Sequence, residues 1–115
     1  MMSIPPSLTG KGVRGLGMKL AIILTAGFGS QNLHTACRLV EAALEEGHQV
    51  ALFLMGDGVY QLRGFGDLQE KGLDLSLCAH NAFQRGLEKV EGVLFGSQYD
   101  WAQAVNEADR VISLG

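Results

Sequence analysis

Apolar residues come along this chain in short blocks of two kinds, and the blocks alternate. Lys19 to Leu24 (KLAIIL) and Gln49 to Met55 (QVALFLM) are nearly continuous apolar runs, as expected for strands covered on both faces. Between them, from Gln31 to Glu46, Leu33, Ala36, Cys37, Val40 and Leu44 fall on one helical stripe, with Arg38, Glu41 and Glu45 on the other side. Ser30 is the expected N-cap of this helix and Gly47 its C-cap. This strand-helix-strand order predicts a parallel pair.

The same alternation continues to the end of the chain. Residues 59 to 72 contain three glycines and weak periodicity, so only a short helix around Asp67 to Lys71 is expected there. Leu73 to Leu77 (LDLSL) alternates like a third strand and leads directly to Cys78. A helix over Asn81 to Lys89 and a strand over Val90 to Phe95 come next. A helix over Tyr99 to Ala108 follows, with Trp101, Ala104, Val105 and Ala108 on one stripe, and Arg110 to Leu114 is the last strand. Five strands interleaved with helices predict an α/β fold, a three-layer α/β/α domain with a five-stranded, mostly parallel sheet. Functional groups are then expected beyond the carboxyl ends of the strands.

Composition narrows the class. With 115 residues, 47% hydrophobic and 18% charged, and a mean hydropathy of +0.16, the chain fits one folded domain rather than two or a disordered segment. Residues 1–17 hold both prolines and four glycines without apolar periodicity. They are expected to form a flexible N-terminal extension to a domain over 18–115, with Met18 as an alternative start. The net charge is −3, and the part after residue 17 has 7 basic against 12 acidic residues. No direct nucleic-acid binding is expected from that balance. No apolar run approaches the roughly 20 residues of a membrane span, and residues 1–17 lack the core of a signal peptide. A cytoplasmic protein without membrane association is expected, with Cys37 and Cys78 as thiols rather than a disulfide.

Candidate chemistry centres on Cys78, between the third strand and the helix opened by His80 and Asn81. A thiol there faces unpaired helix amides, and such placement lowers a cysteine pKa from about 8.5 into the range ~3.5 to 7.5. The same position also suits a small buried hydrophobe, and position alone does not choose. His80 is either a cationic or proton-accepting modulator of that thiolate or an exposed histidine without a role. Cys37, mid-helix on the sheet-facing stripe, reads as core. The histidines His34, His48 and His80 have no metal-ligand spacing, so no metal is expected. Gly27-Phe28-Gly29-Ser30 lacks the order of a phosphate loop, and its glycines read as turn residues, as does Asp57 between Gly56 and Gly58. A nucleotide-binding role would rest on that loop alone.

From Met18 to Gly115 the chain resembles the DsrE/DsrF/TusD family of sulfur-relay proteins. The resemblance is carried by Gly29-Ser30-Gln31 after the first strand, Gly47-His48 before the second and Asp57-Gly58-Val59 after it. Its most specific part is Leu77-Cys78 followed by Ala82, Arg85 and Gly86. What the resemblance implies is a cofactor-free relay, a possible sulfurtransferase. Cys78 would take sulfane sulfur as a persulfide from a donor protein and pass it to an acceptor protein's cysteine, in transfer-RNA thiolation or in sulfur oxidation. It also implies assembly with related DsrE/DsrF-like subunits or with itself, as a homo- or heterohexamer. In this chain Ala79-His80-Asn81 stands where those relay proteins tend to have small apolar residues. The alternative from another class is a noncatalytic subunit or small-ligand binding module of such an oligomer.

Overall fold

The computed structural model describes residues 17–27 and 31–115. The expected flexible extension, apart from Gly17, and the expected Ser30 cap lie outside the described residues. In chain order the elements are β1 (Lys19–Leu24), α1 (Asn32–Glu45), β2 (Gln49–Leu54), a 3-10 helix (Gly56–Phe65), α2 (Gly66–Glu70) and β3 (Asp74–Cys78). They are followed by α3 (Ala79–Gln84), β4 (Leu94–Gly96), α4 (Gln98–Glu107) and β5 (Arg110–Leu114). The five strands form one sheet in the order β4-β3-β2-β1-β5, and every pairing is parallel.

This order dictates where the helices lie. From β1 to β4 the chain steps along the sheet to one edge, so right-handed crossovers put α1, the 3-10 helix with α2, and α3 on one face. That face holds the core. Leu20, Ile22 and Leu24 of β1, Val50, Leu52 and Leu54 of β2, and Leu75 and Leu77 of β3 pack with Ala36 and Val40 of α1. The return from β4 to β5 crosses back over the sheet and leaves α4 on the other face, where Trp101 stacks on Phe53 with ring centroids 6.0 Å apart.

Coverage of the two faces is unequal. The expected α4 stripe of Trp101, Ala104, Val105 and Ala108 is correct in position, but each of these residues is only half-buried. A single ten-residue helix cannot cover a five-stranded face. Leu94 of β4 and Val111 of β5 are accordingly exposed.

The least periodic stretch of sequence forms the 3-10 helix. Val59, Leu62 and Phe65 recur every third residue and are buried, which matches three residues per turn rather than 3.6. At its start the Gly58 backbone lies against the Leu24 carbonyl, where a Cβ would collide. Helices α1, α2 and α3 end alike. Gly47, Gly72 and Gly86 adopt positive φ, and paired bonds such as His48 N–H to Ala43 O (3.0 Å) and Gly47 N–H to Leu44 O (3.1 Å) close the last turn. Helix α4 starts with a capping box between Ser97 and Asp100.

Two elements depart from expectation. Helix α3 spans Ala79–Gln84 rather than Asn81 to Lys89, because Cys78 caps it directly and Gly86 terminates it. Strand β4 is Leu94–Gly96 rather than Val90 to Phe95, because Gly92 takes positive φ in a turn closed by Val93 N–H to Val90 O at 3.2 Å.

Phe65, fully buried at the end of the 3-10 helix, ties that segment to the core. Phe65→Ala is expected to cost about 3–5 kcal/mol, read as a lower urea midpoint at unchanged m-value. A loss below about 1 kcal/mol would show that this helix is not packed as described.

Candidate functional site

The site builds outward from two strand ends. Leu54 and Leu77 are in register in β2 and β3, so the turn after β2 and the junction after β3 leave the sheet side by side. At the junction the chain passes from strand to helix without a loop. Cys78 is the last residue of β3 and, with extended backbone (φ −77°, ψ 112°), the N-cap of α3. Its Sγ accepts a hydrogen bond from the Asn81 N–H at 3.4 Å, the role that a serine or aspartate oxygen ordinarily plays at an N-cap. The residue is 8% exposed. On the β4 side its register partner is Gly96, and the space a Cβ would take there is filled by the Asp100 carboxylate.

A ring of polar contacts joins the two strand ends. The Gly56 N–H donates to Asn81 Oδ1 at 2.9 Å. Next to it, Asp57 Oδ1 accepts from Arg85 Nε at 3.0 Å, and Arg85 Nη1 donates back to the Asn81 carbonyl at 3.1 Å. Asp57 and Arg85 form an ion pair with side chains 63% and 25% exposed, a setting in which such pairs contribute about 0–1 kcal/mol. The loop after β1 reaches the same place, with Gly27 packed close to Asp57. Phe28 to Ser30 lie outside the described residues.

Of the residues singled out from sequence, Cys78 sits where strand and helix meet. His80 is exposed in the first turn of α3 and, among the described residues, is not a hydrogen-bond partner of Cys78. Asp57, expected as a turn residue, lies instead in the first turn of the 3-10 helix and accepts from Arg85. The linking role of Asn81 was not read from the sequence. The available signal was the four-residue spacing of Asn81 and Arg85 on one helix face.

Cys37 and Cys78 are both free thiols, in different settings. Cys37 lies mid-helix with Sγ 3.8 Å from the Gly64 carbonyl oxygen. Burial first, and then the Glu41 carboxylate, raise its pKa above the ordinary 9.0, so it is protonated at neutral pH. Among the described residues no group of three or more His, Cys, Asp or Glu side chains could hold a metal ion. No described helix is long and apolar enough to cross a membrane. A cleft of about 590 Å³ runs from the amino-terminal edge of the sheet along its α4 face, lined by residues that include His48, Gln49, Asp74, Ser76, Asp100 and Gln103. Cys78 and its polar ring lie outside it.

The structure defines an all-parallel α/β domain with a cysteine at the carboxyl end of an interior strand, and comparison with known proteins specifies its class. The DsrE/DsrF-like family matches residues 18–114, and the chain belongs to that family. An uncharacterized protein of Methanopyrus kandleri is 29% identical, the match covering 85% of this chain and 94% of that protein. An uncharacterized protein of Methanocaldococcus jannaschii is 27% identical, with 84% and 99% covered. The crystal structure of the ychN protein from E. coli shares the fold, with a TM-score of 0.72 at 24% identity over 86% of this chain and 100% of that one.

The setting of Cys37 predicts slow alkylation at pH 7 that accelerates only as pH rises past 9.0. Removing the neighbouring negative charge in Glu41→Gln should move that onset to lower pH. Mass-spectrometric peptide mapping across a pH series checks both, and fast labelling of Cys37 at pH 7 would contradict them.

Proposed function

We propose that this chain is a sulfur-relay protein that carries sulfane sulfur as a persulfide on Cys78 and passes it to a cysteine of an acceptor protein. The observation that carries the reading is the Cys78 Sγ at the carboxyl end of β3, hydrogen-bonded to the Asn81 amide, in a member of the DsrE/DsrF-like family. The Asn81 N–H is a donor already aimed at the sulfur, from which the attacking or departing sulfur can accept. The chemistry is exchange at sulfur. The Cys78 thiolate attacks the outer sulfur of the donor's persulfide, a new S–S bond forms, the donor's S–S bond breaks, and the donor cysteine leaves as a thiolate. The acceptor thiolate then repeats the step on the outer sulfur held by Cys78. Neither step changes the overall redox state.

The persulfide's outer sulfur stands about 2 Å beyond Sγ, which gives a nearly covered cysteine some added reach. His80, exposed two residues on, contributes positive charge when protonated, without a direct bond to the sulfur. Donor and acceptor proteins in the cytoplasm, and an oligomer with itself or with related subunits, complete this reading. DsrE-like proteins often form oligomers, and the exposed Leu94 and Val111 on the thinly covered face are consistent with a subunit contact.

One observation favours a second reading. Cys78 is only 8% exposed, as a structural cysteine would be, and the chain would then be a noncatalytic subunit or ligand-binding module of such an oligomer. Incubation with a persulfide donor separates the two. The relay reading expects the intact mass to rise by one sulfur atom in the wild type and not in Cys78→Ser. A sulfur mapped to Cys37, or none at all, would overturn it.

A further inference from the structure

We infer that Asn81 is a positioning residue for the Cys78 sulfur, its side chain holding the amide that the sulfur accepts from. The inference rests on the relay reading for its purpose but on separate observations for its substance. Helix α3 has only six residues, too few to hold its own shape, since isolated helices below about 12–15 residues are marginal in water. The place of its first-turn N–H at Sγ therefore depends on what tethers the turn.

Two tethers reach it, both from the turn after β2. One is the Gly56 N–H to Asn81 Oδ1 bond of 2.9 Å. The other runs from Asp57 through Arg85 to the Asn81 carbonyl. The second passes through an ion pair open to water, which water and salt weaken. The first is partly buried, short, and formed by the side chain of the residue whose N–H meets the sulfur. Asn81 thus bonds to the first residue of the 3-10 helix through its side chain and to Cys78 through its backbone, so the segment that leaves β2 sets the hydrogen bond to the cysteine that ends β3. An alanine keeps the N–H but loses the tether. A glutamine keeps the amide group but moves it one methylene out of register.

The test is hydrogen exchange of the residue-81 backbone amide in wild type, Asn81→Ala, Asn81→Gln and a destabilised control, Leu68→Ala. The expected result is an amide protection factor, corrected for residue type, lowered by about tenfold in both Asn81 variants, and unchanged protection of that amide in Leu68→Ala. If Asn81→Ala does not fold, Asn81→Gln alone decides. Protection that stays at the wild-type value in a folded Asn81 variant, or falls equally in Leu68→Ala, overturns the inference. Sulfur loading of the wild type, followed by mass on the same preparation, judges the relay reading separately, because the exchange measurement needs neither a donor nor access to the thiol.

Discussion

Everything distinctive about this molecule depends on β3 entering α3 with no loop between them. In most parallel α/β domains a few residues separate strand end from helix start. Here one residue is the end of the strand and the cap of the helix, and it is a cysteine. Its sulfur accepts from a first-turn N–H in the manner of an N-cap side chain. The same economy makes α3 short, since Gly86 closes the helix within two turns. Such a helix borrows its rigidity from β2 and its turn, so the surroundings of the sulfur are a property of two adjacent strands rather than of one helix.

The legible parts of the fold were those in which local chemistry and tertiary structure make the same demand. The run from Lys19 to Leu24 is β1 at both ends, because a strand covered on both faces has no polar position at which to break. Gly47 was legible as a helix end because few other residues take its φ of +88° without strain. The segment from Gly56 to Phe65 was not legible, because a three-residue repeat looks irregular to a search for periods of 2 or 3.6. Strand β4 was misplaced because Val90 and Val93 have strand-forming side chains while Gly92 imposes a turn.

Within the site, the position of Cys78 was legible and its surroundings were not. A cysteine directly after an alternating apolar run implies the carboxyl end of a strand, where α/β domains gather their chemistry. The bonds from Gly56 to Asn81 and from Asp57 to Arg85 join residues 25 and 28 positions apart. They exist only because β2 and β3 are neighbours in register, which no local pattern states. The resemblance to the family did single out Asp57 and Arg85, though not what connects them.

The two cysteines share a residue type but not a setting. Cys37 points into a helix-covered core with a carboxylate nearby, and both conditions disfavour the anion. Cys78 is more buried, yet its sulfur meets an N–H, and burial with a donor is a different condition from burial without one. Desolvation removes water from a thiolate, whereas an amide fixed by its own tethers replaces part of that water without having to reorient when charge develops. A covered sulfur is therefore no contradiction of a nucleophilic one, provided the donor stays in place. That proviso falls on the bond from Gly56, at the start of the 3-10 helix, to Asn81, since the six-residue helix cannot meet it alone.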